Sequence, residues 1–168
     1  MLTVADNIAG WLHEKGIETA FGIIGGGNVS LWDAITRLQK TNLVCTHHEQ
    51  AAVMAASAYY RIRNRISVAL VTTGAGSTNA ITGVASAYMD SVPVLILSGN
   101  EDSKYMYQPT RVWGVQGYGS CEMVESITKR AYRADGMPDL DAAMALALKP
   151  RQGPVWIDIP KDVQNAPV

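Results

Sequence analysis

The apolar residues of this chain repeat with two different periods, one typical of helices and one typical of strands. Near the N-terminus they recur every three or four positions, as on the buried face of a helix: Val4, Ile8, Trp11 and Leu12. Thr3 and Asp6 resemble a capping box before this pattern, and Gly16 stands where a helix usually ends. We therefore predict that a helix opens the chain.

Short apolar runs alternate with further helical patterns along the rest of the chain. Strands are predicted at residues 19–24, 42–46, 67–73, 92–98, 127–133 and 155–159. Helices are predicted at about 31–38, 49–61, 78–89 and 140–148. This alternation predicts a single α/β domain over residues 1–168, with a doubly wound, mainly parallel six-stranded sheet and helices on both faces. The polar and aromatic stretch from 99 to 121 is predicted to be a loop over a site or an interface.

Three loops that follow predicted strands carry the candidate chemistry: residues 22–28 (GIIGGGN), 47–50 (HHEQ) and 72–79 (TTGAGSTN). Because the carboxyl ends of parallel strands meet at one edge, we predict that Gly25, Glu49 and Gly76 lie close together there. Glycine lets the backbone approach a ligand, and amides at a helix start favour negative or polar groups. Taken singly, each glycine loop is better explained as an ordinary turn, and Glu49 as a residue that merely complements a helix dipole.

Histidine and cysteine predict neither a metal site nor thiol chemistry. His47 and His48 are adjacent, so in an extended chain they point to opposite faces and do not bind one metal together. Cys45 is predicted to be buried in a strand, whereas Cys121, in the long loop, is compatible with packing or with chemistry. The sequence has no GxSxG, Walker A or HExxH motif.

Composition argues against several classes of partner. Fourteen Lys and Arg against fifteen Asp and Glu give a net charge of −1, so no field attracts nucleic acid or anionic lipid. Two cysteines do not form the disulfide framework of a small secreted protein, and no apolar run approaches the roughly 20 residues of a membrane span. We expect a cytoplasmic protein that binds neither nucleic acid nor membrane.

The first glycine loop also resembles a dinucleotide-binding loop. Gly25-x-Gly27-x-x-Ser30 follows a predicted strand, and Glu49 comes about 20 residues later, where an acid that binds ribose belongs. However, Ser30 stands where Gly or Ala is favoured, and the loop at 72–79 is left without a role. A nicotinamide-binding oxidoreductase domain is one alternative, and a non-catalytic dimerisation module of the same fold is another.

Taken together, the segments resemble the N-terminal pyrimidine-binding domain of thiamine-diphosphate enzymes of the acetohydroxyacid synthase and pyruvate oxidase kind. The resemblance runs along nearly the whole chain and rests on the order and spacing of its motifs. They are residues 16–26 (GIETAFGIIGG), 48–52 (HEQAA), 73–79 (TGAGSTN), 90–93 (DSVP), Gln116 eleven residues after Tyr105, 126–129 (SITK) and 153–162 (GPVWIDIPKD). Departures at His47, Ile23, Ile24, Ala75 and Val115 leave the substrate open.

The resemblance implies roles for particular residues. Glu49 matches the catalytic glutamate, which hydrogen-bonds a ring nitrogen of the aminopyrimidine so that the cofactor's own amine removes the thiazolium C2 proton. Gln116 matches an active-site glutamine that faces the substrate. The implied cofactor-binding residues are Gly25, Gly26, Glu49, Thr73, Gly74, Gly76 and Asn79, and no metal ligand is expected in this chain.

The resemblance also implies a missing half of the site. The family binds Mg²⁺ and the diphosphate through a GDG motif on another domain, and no Gly-Asp-Gly occurs here. We therefore expect a thiamine-diphosphate-dependent decarboxylase or synthase of small 2-oxo acids that is inactive as the isolated chain. A diphosphate-binding domain, on a partner subunit or in a longer protein, completes it in a homodimer or hetero-oligomer. Candidate interface residues, each equally compatible with the core, are Met54, Tyr59, Tyr60, Tyr88, Met89, Tyr105 and Trp113.

Overall fold

Six parallel strands form one sheet, as the sequence predicts. A computed structural model describes residues 1–106 and 114–168. The strands are β1 (Thr19–Gly22), β2 (Asn42–Cys45), β3 (Val68–Val71), β4 (Leu95–Asn100), β5 (Arg130–Arg133) and β6 (Val155–Pro160), in the order β2-β1-β3-β4-β6-β5. The helices are α1 (Val4–Glu14), α2 (Val29–Leu38), α3 (Glu49–Arg63), α4 (Ala75–Met89), α5 (Ser120–Val124), α6 (Leu140–Leu148) and α7 (Lys161–Gln164). None of these helices is long and apolar enough to cross a bilayer.

Helices cover both faces of the sheet and enclose two apolar cores. On one face, α1, α2 and α6 pack over Leu70 and Leu97; on the other, α3, α4 and α5 pack over Ala69 and Ile96. Successive residues of β3 and β4 thus point into opposite cores, which explains why these strands are apolar at consecutive positions. The doubly wound α/β fold is confirmed.

The signals at both ends of α1 are confirmed. The Asp6 carboxylate accepts a hydrogen bond from the Thr3 amide at 2.9 Å, and the Thr3 hydroxyl accepts one from the Asp6 amide at 3.2 Å. Beyond the helix, Gly16 has φ +67° and its amide donates to the His13 carbonyl. Glycine adopts this left-handed conformation without steric cost, so it terminates the helix.

The predicted long loop is shorter than expected at both ends. β4 begins three residues later than predicted, because Pro93 has no N–H to donate to a strand ladder, and it runs on to Asn100. At the other end α5 and a 3-10 turn (Glu125–Ile127) precede β5, which also begins three residues late. Part of the predicted loop, residues 107–113, lies outside the described residues.

The two cysteines occupy different environments. The prediction that Cys45 is buried is wrong: it is exposed, because β2 is an edge strand of the sheet. Cys121 is partly buried, and burial, with the nearby charge of Asp158, raises the pKa of its thiol to about 12. Because the nucleophile would be the thiolate, Cys121 is a poor nucleophile near neutral pH.

Candidate functional site

The winding of the sheet changes direction at β1. From β1 the chain passes through α2 to β2 on one side, and then through α3 to β3 on the other side of β1. At the carboxyl edge, the loops that follow β1 and β3 therefore lead to helices on opposite faces of the sheet. In open α/β sheets the ligand crevice lies at such a point. The two loops meet where the Gly27 amide donates to the Thr72 hydroxyl at 3.2 Å.

A buried asparagine shapes the loop after β1. The Asn28 side chain accepts a hydrogen bond from the Gly25 amide at 2.8 Å and donates one to the Ile23 carbonyl at 3.0 Å. A Cβ at Gly25 would lie 2.6–2.8 Å from the Thr72 side chain, so only glycine permits this approach of the loops. Gly26 is exposed, with open space where its Cβ would be.

Glu49 is the first residue of α3 and is buried, with 6% of its surface exposed. The helix is capped by His48, whose Nδ1 accepts a hydrogen bond from the Gln50 amide at 3.2 Å. The Glu49 Oε2 accepts a hydrogen bond from the Asn79 Nδ2 at 3.0 Å, and a Cβ at Gly76 would lie 3.2 Å from Oε1. The carboxyl group therefore lies in the seam between α3 and α4.

Two glycines on α4, which carry no side chain, allow α3 and α4 to pack this closely. A Cβ at Gly83 would lie 2.8 Å from the Val53 Cβ and 3.0 Å from the Gln50 carbonyl oxygen, so the backbones of α3 and α4 approach closely there. One end of the seam is Gly76, whose Cβ would lie 2.6 Å from the Thr72 Cγ2. Larger residues at either position would push α4 away from its neighbours.

A buried polar network lies behind the loop after β3. The Thr73 hydroxyl shares its proton between the Asn100 Oδ1 and the Gln116 carbonyl oxygen, both at 2.9 Å. The Asn100 Nδ2 donates to the Asp158 Oδ2 at 2.8 Å. Asp158 is 1% exposed, and burial raises its pKa. The network thus ties Thr73 to the backbone at Gln116.

Most of the residues that the sequence nominates lie at this one edge. Gly25, Glu49, Thr73 and Gly76 are joined through direct contacts or through Thr72, and Asn79 contacts Glu49. The predicted clustering of Gly25, Glu49 and Gly76 is confirmed. Gly74, at φ +66°, begins α4 as its N-cap. Gln116 contributes its carbonyl to Thr73, and the residue is exposed.

Sequence reasoning assigned no role to four residues that build the site: Asn28, Thr72, Asn100 and Asp158. A charged residue in the otherwise apolar strand β6 was a usable signal for Asp158, since such residues are rarely buried without partners. Asn28 follows three glycines, a context in which an Asx side chain commonly bonds nearby backbone. Thr72 and Asn100 contact residues that are distant from them in sequence, so no local sequence pattern predicts these contacts.

The two oxygens of the buried Glu49 carboxyl have different neighbours. Oε2 accepts a hydrogen bond from Asn79, while Oε1 lies against Gly76, where an added Cβ would be 3.2 Å from it. In such a water-poor place a hydrogen bond to a ligand is stronger than in water. Across residues 1–106 and 114–168, no group of three or more His, Cys, Asp or Glu side chains is arranged to hold a metal ion.

Comparison with known proteins gives consistent matches. The family model for the thiamine pyrophosphate enzyme, N-terminal TPP binding domain, matches residues 2–115. Acetolactate synthase isozyme 3 large subunit of Escherichia coli is 36% identical over 172 residues, which cover 98% of this chain and 29% of that protein. The chloroplastic acetolactate synthase of Arabidopsis thaliana is 34% identical, covering 96% and 24%, and the large subunit from Lactococcus lactis is 36% identical, covering 94% and 27%. The chain thus spans less than a third of these relatives.

Proposed function

The chain belongs to the thiamine pyrophosphate enzymes, as an N-terminal domain of the acetolactate synthase type, and from this we propose that it forms the pyrimidine-binding half of a 2-oxo-acid decarboxylase or synthase. In this proposal Glu49 binds the aminopyrimidine ring nitrogen of thiamine diphosphate. Gly25, Gly26, Thr73, Gly74 and Gly76 provide backbone around the ring, and Gln116 faces the substrate.

The observation that carries the proposal is the buried carboxyl of Glu49 at the sheet's switch point. An isolated buried carboxyl destabilises a fold, so its position calls for a compensating partner. Asn79 satisfies one oxygen, Oε2, and this leaves Oε1 as the oxygen that binds the ring nitrogen in this proposal. The residues present therefore fit the pyrimidine end of the cofactor.

The chemical role of Glu49 is to hold and exchange one proton. Bound thiamine diphosphate supplies the carbon that adds to a 2-oxo acid and accepts the electrons left when carbon dioxide departs. The Glu49 Oε1 shares a proton with the ring nitrogen, which controls the basicity of the neighbouring amine. The low polarity around α3 and α4 strengthens that shared hydrogen bond.

A second domain completes the site in this proposal. The relatives are more than three times as long as this chain, and a GDG motif for Mg²⁺ and diphosphate is absent from the sequence. Exposed Met54 and Met89, with partly exposed Tyr59, Tyr60 and Tyr88, lie on α3 and α4 and offer an apolar surface to a partner domain. Tyr105 is also partly exposed, and Trp113 lies outside the described residues.

A dinucleotide site fits the geometry less well. In such a site the amides of the first glycine loop and helix face a pyrophosphate. Here the Gly25 amide is bonded to Asn28 and the Gly27 amide to Thr72. Glu49 also packs into the α3–α4 seam, whereas a ribose-binding acid would face the loop. We do not favour a nicotinamide-dependent activity.

The test replaces Glu49 in the enzyme assembled with a diphosphate-binding half. We expect Glu49→Gln to slow exchange of the cofactor's C2 proton by at least about 10²–10⁴-fold, because the amide does not exchange a proton with the ring nitrogen. Proton exchange is followed by NMR after rapid quenching, and folding by thermal unfolding. The matched control is Glu14→Gln, at an exposed position of α1, which should leave exchange unchanged.

Three outcomes contradict this proposal. If Glu49→Gln exchanges the cofactor's C2 proton at a rate within a few-fold of wild type, Glu49 takes no part in the reaction. Binding of NADH by the chain alone, with no binding of thiamine diphosphate and Mg²⁺ in the assembly, replaces the proposed cofactor with a nicotinamide. A variant that fails to unfold cooperatively instead identifies Glu49 as a structural residue.

A further inference from the structure

The hydrogen bond between Asn79 and Glu49 distinguishes the two oxygens of the carboxyl. Asn79 lies in the second turn of α4 and is exposed, whereas Glu49 is buried. The Asn79 Nδ2 donates to Oε2 at 3.0 Å, and Oε1 faces Gly76. Building on the function proposed above, we propose that Asn79 is a positioning residue that holds Oε2 and so makes Oε1 the oxygen that exchanges a proton with the cofactor.

The two oxygens of the Glu49 carboxyl have neighbours of different chemistry. The side-chain nitrogen of an asparagine only donates hydrogen bonds, so it can hold a carboxylate oxygen but takes no proton from it. Within the described residues, the Glu49 carboxyl makes this one hydrogen bond, and the bond fixes the rotation of that group. On the other side, Oε1 lies against Gly76, where an added Cβ would be 3.2 Å from it, and Gly76 offers it no side-chain donor.

Fixing the carboxyl matters because proton exchange depends on geometry. A glutamate with several rotatable bonds reaches many orientations, and catalytic groups need to lie within about 0.5 Å of their productive position. A misplacement of 1 Å costs up to about 10²-fold in rate. The contact joins residues 30 positions apart, so it also locks α3 to α4 at the site.

A residue that positions Glu49 and a residue that binds the cofactor affect different measured quantities. The resemblance to the family implies that Asn79 binds the cofactor itself. If Asn79 instead acts through Glu49, its removal slows the proton exchange but changes the affinity for thiamine diphosphate little. A residue that contacts the cofactor directly would change both quantities, because its loss removes binding energy as well.

The experiment compares Asn79→Ala with Thr82→Ala in the assembled enzyme. Both residues are exposed on α4, one helical turn apart. We expect Asn79→Ala to slow C2 proton exchange by about 10–10²-fold, while the dissociation constant for thiamine diphosphate changes by less than threefold. Thr82→Ala should change neither. Equal losses of affinity and rate in Asn79→Ala would overturn the inference in favour of direct cofactor binding.

A second variant gives a pH signature that a purely structural role lacks. Asn79→Asp keeps the size of the side chain, so folding should be preserved. At low pH the new carboxyl is protonated and can donate to Oε2, whereas its ionised form repels Glu49. The rate of C2 proton exchange in Asn79→Asp, divided by the wild-type rate at the same pH, should therefore fall as the pH rises. A ratio that does not change with pH would contradict the inference.

A measurement without cofactor tests the contact itself. In the full chain, Glu49→Gln should shift the NMR resonances of the Asn79 side-chain amide, and Glu14→Gln should not. Unshifted resonances would overturn the assignment of Asn79. If Glu49→Gln abolishes C2 exchange while Asn79→Ala leaves it within threefold of wild type, only this inference fails; if Glu49→Gln leaves exchange intact, the proposed function fails.

Discussion

The close approach of α3 and α4 at Gly83 can be tested with a single methyl group. An alanine Cβ at this position would lie 2.8 Å from the Val53 Cβ and 3.0 Å from the Gln50 carbonyl oxygen. Carbon atoms normally pack at about 3.5–4.0 Å, so the helices need to separate by roughly 0.7 Å. Because a backbone oxygen is involved, a change of side-chain rotamer does not relieve the clash.

The expected change in stability combines two opposing terms. Overpacking costs about 1–3 kcal/mol, whereas alanine is favoured over glycine inside a helix by about 1 kcal/mol. The matched control is Gly10→Ala in α1, where nothing lies within 4 Å of the added Cβ. Since both variants gain the helix propensity, the difference between their free energies of unfolding isolates the overpacking, about 1–3 kcal/mol.

Urea unfolding and thermal unfolding of both variants measure this difference. A change of 1 kcal/mol shifts the Tm of a chain of this size by about 2–4 °C, so Gly10→Ala should melt several degrees above Gly83→Ala. In the assembled enzyme, separation of the helices should also stretch the 3.0 Å bond from Asn79 to Glu49 and slow C2 proton exchange. If Gly83→Ala melts at or above Gly10→Ala, the close packing of α3 on α4 is refuted.

Two further predictions concern the buried carboxyl of Asp158 and the partly exposed ammonium of Lys129. Burial raises the pKa of Asp158, so its proton stabilises the folded chain below the unfolded-state pKa of about 4, and this stabilisation is lost as the pH rises through the folded-state pKa. Urea unfolding at a series of pH values should show this decline in wild type and less of it in Asp158→Asn; superimposable profiles would contradict it. Lys129 donates from Nζ to the carbonyls of Leu146 and Lys149 at the end of α6, at 2.6 and 2.5 Å. Lys129→Met should lower the free energy of unfolding by about 1 kcal/mol, and an unchanged value would show that the ammonium is not a helix cap.

The sequence predicts those parts of the fold that depend on neighbours along the chain. The capping box at Thr3 and Asp6, the terminating Gly16 and the bounds of α6 are local, and the structure confirms them. The parallel arrangement of the strands follows from the alternation of strands and helices, because strands joined by crossover helices run in one direction and end at one common edge. For this reason the clustering of Gly25 with Gly76 was also predictable.

Long-range packing accounts for what the sequence does not predict. Whether Cys45 is buried depends on which strand forms the edge of the sheet, and its local pattern does not contain that information. The partner of Glu49 lies 30 residues away on α4 and contacts it only because two glycines bring the helices together. The packing of α3 against α4 determines the contact between Glu49 and Asn79, and neither the HEQAA motif nor the TGAGSTN motif predicts it alone.

The site's demands also explain why small residues recur along α4. Within residues 1–106 and 114–168 the buried Glu49 carboxyl has a single hydrogen bond, which is destabilising, so a fold selected for stability alone favours an apolar residue at position 49. The close seam reduces that penalty by bringing Asn79 within 3.0 Å of Oε2, and it requires glycine at both 83 and 76, where an added Cβ would clash with Val53 or Thr72. The two glycines therefore act in the same sense, since each lets α4 lie close to its neighbours. On this reasoning Glu49→Leu should stabilise the chain while abolishing the proton exchange, as expected where local stability and chemistry make conflicting demands on one position.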